Sequence, residues 1–154
     1  LCVPVGTGCG SVFLVDGAPA ENGFPGVPEN GYIYPAPFLD GCIDDHISKR
    51  GLMGLSRQIL GRPLEGRELA EAAFRGDPGA RRVWNIFGER LRDALSGYLM
   101  PGGFAPSVLC LGGGVMKSAP LFIGPLERLC DSLGIRLTVE TDTPQMILKG
   151  LTRI

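Results

Sequence analysis

An apolar run that ends in three consecutive glycines constrains the fold of this chain more than any other feature. Residues 109–111 are apolar, Gly112, Gly113 and Gly114 follow them, and a helix-like segment comes next. Glycines carry no side chain, so a ligand can lie directly against the backbone of such a turn. In open α/β sheets, ligands bind just beyond the carboxyl ends of strands. The pattern predicts a ligand-binding turn at the end of a buried strand.

A second glycine-rich turn lies near the start of the chain. Gly6, Thr7 and Gly8 follow the apolar residues 1–5 and precede a second apolar run at 11–15. The backbone N–H groups of such a loop can face an anion. Two glycine turns, each closing a strand, are what a nucleotide pocket requires. We expect them to meet in space and form one wall of a cleft, although each turn by itself also fits an ordinary tight turn.

Composition narrows the class of protein. The chain has 154 residues, of which 44% are hydrophobic and 20% charged, with a formal net charge of −1. These values predict one globular domain. No long basic run occurs, and the pairs Lys49-Arg50 and Arg81-Arg82 are isolated. We interpret both pairs as solvated helix faces, so direct nucleic-acid contact by this segment is not expected.

The cysteine pattern and the hydropathy of the chain indicate its cellular compartment. The five cysteines are widely spaced and form no CxxC pair, a pattern that favours reduced thiols in a cytoplasmic protein over disulfides or zinc. No apolar run approaches the length of a membrane span, and no signal peptide is visible. We therefore expect a cytoplasmic protein with no membrane contact.

Hydrophobic periodicity predicts an α/β fold. Strands are predicted at residues 1–5, 11–15, from 18 onward, 107–111 and 135–139. Helices are predicted from residue 43, at 64–75, from the Asp77-Pro78 cap to about residue 100, from a Ser118 cap to Gly134, and after Thr143-Pro144. The tight Asp16-Gly17 turn indicates an antiparallel hairpin, whereas alternating strands and helices indicate parallel pairing. The order predicts a mixed five-stranded sheet, with antiparallel hairpin strands and parallel strands, flanked by helices.

Four segments together resemble the carboxyl-terminal half of proteins in the ROK family (repressors, open reading frames and sugar kinases). The segments are residues 3–17, 41–48, 70–91 and 107–115. The resemblance covers nearly the whole chain and implies an actin-like ATPase domain of the ribonuclease-H-like fold. Residues 1–154 then form a single carboxyl-terminal lobe, and the amino-terminal lobe is absent from this chain.

The resemblance also implies a nucleotide held between two lobes. Gly6, Thr7 and Gly8 match the family's second phosphate-binding turn, and the glycine triplet matches the turn beneath the adenosine. The corresponding cofactors of the complete protein are ATP and magnesium. Small residues at these positions let N–H groups and the Thr7 hydroxyl approach phosphate oxygens.

The sugar-binding residues implied by the resemblance depart from the family pattern. Glu29 matches a Glu-x-Gly-His motif in which Tyr32 replaces the histidine, and Asp44 replaces a second glutamate after Gly-Cys. Carboxylates accept hydrogen bonds from neighbouring sugar hydroxyls, which explains the need for two of them. The alternatives are a solvated loop for Glu29 and Tyr32, and helix-end electrostatics for Asp44.

No metal site is expected in this chain. The cysteines of the family's zinc loop are missing apart from Cys42, so four zinc ligands cannot be assembled. The sole histidine, His46, is interpreted as a surface residue at a helix end.

The resemblance leaves three functions open. The first is half of an ATP-dependent sugar kinase, which transfers the γ-phosphate of ATP to a sugar hydroxyl when complete. The catalytic aspartate of such a kinase belongs to the amino-terminal lobe, so we assign no catalytic residue here and expect this chain alone to be inactive. The second is the sugar-sensing effector domain of a transcriptional repressor. The third is a homodimerisation domain without a ligand.

Overall fold

The computed structural model describes residues 1–20 and 22–142. Its strands are β1 Cys2–Pro4, β2 Leu14–Val15, β3 Ala18–Pro19, β4 Pro37–Phe38, β5 Gly41–Cys42, β6 Val108–Gly112 and β7 Arg136–Val139. Its α-helices are α1 Ile43–His46, α2 Lys49–Leu60, α3 Gly66–Phe74, α4 Pro78–Leu99 and α5 Gly124–Leu133, and 3-10 helices span Glu29–Gly31 and Gly114–Leu121. The predicted helix after Thr143-Pro144 lies outside the described residues.

The central sheet is smaller than predicted. It has three parallel strands in the order β1-β6-β7, while β2–β3 and β4–β5 form separate antiparallel hairpins. The α/β class and the parallel pairing are confirmed, whereas a five-stranded mixed sheet is not found among the described residues. Residues 9–12 do return along β1, but only the isolated bridges Cys2–Val12 and Val5–Cys9 form there. Pro4 has no N–H to continue that ladder.

Helix α4 is the centre of the hydrophobic core. The side chain of Asp77 accepts a hydrogen bond from the backbone N–H of Ala80, and Pro78 occupies the first helical turn, so the predicted start of this helix is confirmed. Trp84 stacks on Phe122 with ring centroids 5.3 Å apart. This helix packs against α2, α3 and α5, and α5 in turn contacts β7 of the sheet.

Two local predictions fail. The apolar pattern of the predicted helix at 64–75 places Phe74 on the core side, but this residue is 64% exposed at the end of α3. Ser118 does not cap a helix either, because it lies inside the 3-10 helix and α5 begins only at Gly124. Across the described residues, no helix combines the length and the apolar character needed to cross a bilayer.

Candidate functional site

The two glycine turns meet at the carboxyl ends of β1 and β6. The backbone N–H of Val5 donates to the carbonyl of Gly112 at 2.8 Å, and the N–H of Val115 donates to the carbonyl of Val5 at 3.2 Å. Gly113 has a φ of 92°, and a Cβ added to it would overlap the backbone of Val5. Segments more than one hundred positions apart thus form one continuous edge, as expected from the sequence.

This edge presents bare backbone. A Cβ added to Gly112 would meet no atom within 4 Å, and one added to Gly6 would meet only the backbone nitrogen of Gly114, at 4.0 Å. Within the described part of the chain, the N–H groups of Thr7 and Gly8 have no hydrogen-bond partner, whereas the N–H of Gly6 donates to the carbonyl of Gly8. Two backbone donors and an open glycine therefore face the same edge, an arrangement suited to phosphate oxygens.

Sequence reasoning missed a basic residue at this edge. The N–H of Lys49 donates to the carbonyl of Gly6 at 2.8 Å, and the lysine Cε lies 4.0 Å from the Cβ position of Gly114. Lys49 is also the first residue of α2, whose Ser48 cap accepts from the N–H of Gly51. The amino end of a helix and a lysine both attract anions. The Ser48 cap was the available signal, because it places the helix start directly before Lys49.

Asp44 lies against the first glycine turn. Its Oδ1 accepts the backbone N–H of Cys9 at 2.7 Å, and its Oδ2 accepts from Arg50 at 2.9 Å. A Cβ on Gly8 would lie 2.8 Å from Oδ1, so only glycine leaves room for this carboxylate. The structure thus joins one predicted sugar ligand to the predicted phosphate turn, and Arg50 is not merely on a solvated face.

Two ionisable groups beside Asp44 have shifted pKa values. Burial, together with the nearby charge of Asp44, raises the pKa of the Cys9 thiol to about 12. Hydrogen bonds from the thiol and the N–H of Cys42 lower the pKa of Asp45, with a smaller contribution from Arg50. Cys9 is therefore a neutral packing residue near pH 7, and Asp45 is ionised.

The predicted sugar loop is anchored by a serine. The hydroxyl of Ser11 donates to the carbonyl of Gly31 at 2.6 Å and accepts the N–H of Ile33 at 3.1 Å. These bonds hold the segment that carries Glu29 and Tyr32. Tyr32 is 51% exposed, and its phenol is therefore available to a ligand.

The loop is also linked to Asp44. The ring centroids of Tyr32 and Tyr34 lie 5.7 Å apart, and the carbonyl of Tyr34 accepts the N–H of Asp44 at 3.1 Å. A depression of about 230 Å³ beside the loop is lined by Ser11, Val12, Phe13, Pro19, Ala20, Asn30, Gly31 and Tyr32. The structure therefore links Tyr32 to Asp44 through Tyr34, whereas Glu29 and Asp44 do not line this depression.

A wider groove lies along the 3-10 helix that follows the glycine triplet. Its volume is about 590 Å³, and its lining includes Met116, Lys117, Pro120 and Val139. This composition suits a flat, largely apolar group that follows a phosphate chain. No group of three or more His, Cys, Asp or Glu side chains suited to a metal ion occurs among residues 1–20 and 22–142.

Comparisons with known proteins identify relatives of this chain. A beta-glucoside kinase of Listeria innocua is 31% identical over 152 residues, which cover 93% of this chain and 51% of that protein. The chain therefore spans about half the length of this curated relative.

Two solved structures show the same fold. A ROK family glucokinase of Streptomyces griseus, in complex with glucose and AMPPNP, superposes with a TM-score of 0.66 at 20% identity, over 90% of this chain and 54% of its own. A ROK family transcriptional regulator, a homologue of the E. coli MLC protein, gives a TM-score of 0.66 at 17% identity, over 90% of this chain and 40% of the regulator. The sequence model of the ROK family matches residues 1–147. With the joined glycine turns and the anchored Glu29–Tyr32 loop, this match shows that the chain belongs to the ROK family.

Proposed function

We propose that this chain is the carboxyl-terminal lobe of an ATP-dependent sugar kinase. The observation that carries the proposal is the hydrogen bond between Val5 and Gly112, which joins the two glycine turns into one open edge. The name of the Listeria innocua relative and the ligands of the Streptomyces griseus glucokinase support a kinase of this kind. The complete protein would act in the cytoplasm, as a homodimer, on a sugar hydroxyl.

The nucleotide would lie along the glycine edge. The N–H groups of Thr7 and Gly8, with the ammonium group of Lys49, would bind phosphate oxygens. The adenosine would lie over Gly112 and in the groove beside Met116. ATP supplies the phosphoryl group and magnesium screens its charge when both are bound in the complete protein.

The sugar would be bound by Glu29, Tyr32 and Asp44. Each carboxylate oxygen has two lone pairs, so Asp44 can keep its bond to the N–H of Cys9 and still accept a sugar hydroxyl. Tyr32 would donate and accept in place of the family's histidine. The shared residue Asp44 would then couple the position of the sugar to the position of the phosphate turn.

Binding measurements on the complete protein test this proposal. Calorimetric titration with ATP and with a panel of hexoses should give heat for ATP and for at least one sugar, and phosphate transfer should follow when both are mixed. Gly112→Ala should weaken ATP binding by about tenfold, because a methyl group would occupy the space left for the ligand.

The matched control is Gly54→Ala. Gly54 also has open space around its Cβ position, but it lies on α2 away from the glycine edge. ATP affinity should be unchanged in this variant. Equal affinities for Gly112→Ala and the original protein would contradict the placement of the nucleotide.

The effector domain of a sugar-responsive repressor is the second candidate. The likeness to a ROK transcriptional regulator and the replacement of the motif histidine by Tyr32 favour it. An upstream Asp-x-Gly-x-Thr turn with a later Asn-Asp would support the kinase, whereas an upstream helix-turn-helix would support the repressor. A repressor would bind a sugar without transferring phosphate, and the sugar would change its affinity for DNA.

A further inference from the structure

His46, the sole histidine of the chain, lies between an anion and a cation from two other elements. Its Nε2 is 3.0 Å from a carboxylate oxygen of Asp40, in the turn between β4 and β5. Its Nδ1 is 3.3 Å from a guanidinium nitrogen of Arg90 on α4. A guanidinium can only donate, so Nδ1 accepts and the imidazole proton lies on Nε2, facing Asp40. The geometry assigns one tautomer to this histidine.

The surroundings of His46 are those of an internal residue. Its side chain is 14% exposed, whereas the side chain of Asp40 is 92% exposed. The ring of Phe38 meets the imidazole edge to face at 5.7 Å. Nε2 is buried but forms no well-aligned hydrogen bond, so its attraction to Asp40 is electrostatic. His46 is the last residue of α1, so the expected helix end is confirmed, whereas the expected surface position is wrong, because hairpin β4–β5 and α4 cover most of the ring.

The hairpin that His46 contacts connects two parts of the proposed sugar site. The antiparallel pairing of β4 and β5 continues beyond the two strands. The N–H of Ile43 donates to the carbonyl of Ala36 at 3.0 Å, and the N–H of Asp44 donates to the carbonyl of Tyr34 at 3.1 Å. The tip of the hairpin thus touches His46, while its open end carries Tyr34 and Asp44. Fixing the tip on α4 limits how far the open end can tilt.

We propose that His46 is a positioning residue for the sugar loop, holding hairpin β4–β5 against α4 through Asp40 and Arg90. This inference rests on the proposed function, because it assigns His46 to the sugar side of the site. The charged groups that act on the ring are Asp40, Arg90 and Asp45. His46 does not touch the sugar; it acts through the hairpin that ends at Asp44.

Hydrogen exchange and ligand binding on the complete protein test the two parts of this inference. Asp40→Asn removes the charge from an exposed residue and leaves the core intact, and it should speed exchange of the Ile43 and Asp44 amides about two- to fivefold, as expected for the loss of a partly exposed polar contact. His46→Leu should speed it about tenfold, because both polar contacts are lost. His46→Gln should restore most of the protection, since its amide can direct an N–H toward Asp40 as the imidazole does.

The matched control is Asp16→Asn, which makes the same change at the tip of hairpin β2–β3. Asp16 has no side-chain hydrogen bond or ion pair among the described residues. This variant should leave exchange at Ile43 and Asp44 unchanged. Nitrogen NMR of the original protein should show His46 as the Nε2–H tautomer. The signal is assigned to His46 by its absence from the spectrum of His46→Gln.

The expected binding result is a weaker sugar affinity, about fivefold in His46→Leu, with ATP affinity unchanged. A purely structural role would lower both affinities or neither. Unchanged hairpin exchange in Asp40→Asn and His46→Leu would overturn the contact with the hairpin. Faster exchange with unchanged sugar affinity would overturn the positioning role. If the original protein binds ATP and no sugar, the proposed function fails with the sugar role, while the exchange data still decide whether His46 holds the hairpin.

Discussion

The backbone of Gly113 lies directly against the backbone of Val5. A φ of 92° at Gly113 and the Val115–Val5 hydrogen bond place the two backbone segments closer than a side chain at Gly113 would allow. The glycine triplet therefore combines two tasks. Gly113 joins the two turns, and Gly112 leaves one face of the joint open.

Alanine substitutions should separate these two tasks. Gly113→Ala should destabilise the fold by about 2 kcal/mol or more, because the left-handed backbone is strained for alanine and the added methyl overlaps Val5. Gly112→Ala should change the free energy of unfolding by less than about 1 kcal/mol, because its Cβ position is open. Urea denaturation followed by the fluorescence of buried Trp84 measures both. Equal stability of the two variants would contradict the assigned contacts.

The contribution of Asp44 to stability should come mainly from Oδ1, which accepts the N–H of Cys9. Asp44→Ala leaves the N–H of the buried residue Cys9 unpaired and should cost about 1–3 kcal/mol. Asp44→Asn retains an acceptor and loses only the ion pair with Arg50, which is 67% exposed, so its cost should be below about 1 kcal/mol.

The control for Asp44 is Asp93→Ala on the exposed face of α4. Asp93 pairs with Arg92, and its loss should change the free energy of unfolding by less than about 0.5 kcal/mol. Thermal and urea unfolding of the three variants should rank Asp44→Ala as the least stable. If Asp44→Asn were as unstable as Asp44→Ala, the hydrogen bond to Cys9 would not be the important contact.

Stability should fall at alkaline pH because of Cys9. Burial raises the pKa of its thiol to about 12, from 9.0 for an ordinary cysteine, so the folded state binds the proton more tightly than the unfolded state. This contribution is complete below pH 9 and is lost as the pH rises from 9 to about 12, by roughly 1.4 kcal/mol per pH unit.

The variant Cys9→Ala isolates that effect. Its free energy of unfolding should decline less steeply between pH 9 and pH 11 than that of the original protein, while Tyr98, Cys2 and Cys130, whose pKa values are also raised by burial, continue to contribute. Parallel slopes in denaturant titrations at these pH values would show that Cys9 is not the responsible thiol.

Two glycines of α4 should respond in opposite directions. A Cβ on Gly88 would overlap the carbonyl of Phe122, so Gly88→Ala should destabilise the chain by about 2 kcal/mol. Gly97 has open space on the same helix, and Gly97→Ala should stabilise it by about 0.5–1 kcal/mol through helix propensity. Calorimetric unfolding temperatures provide the comparison, and a loss of stability in both variants would contradict the close contact at Gly88.

Local patterns were sufficient for the elements that depend on neighbouring residues. The Asp77-Pro78 cap and the three- to four-residue spacing of apolar side chains predicted α4, because capping and helical periodicity act within a few positions. The strands around residues 109 and 137 and the stop at Gly134 were predicted for the same reason. The glycine triplet also identified the edge at which we propose the nucleotide site.

The sequence by itself thus determined the α/β class, the central helix and the two glycine turns, since these follow from short-range spacing and backbone freedom. Only the tertiary structure decided that β2–β3 stands apart from the main sheet and that Asp44 lies on the Cys9 turn. It alone placed His46 between Asp40 and Arg90. Such contacts join residues whose separation no local pattern specifies, because their formation depends on how buried faces pack and not on the neighbours of each residue in the chain.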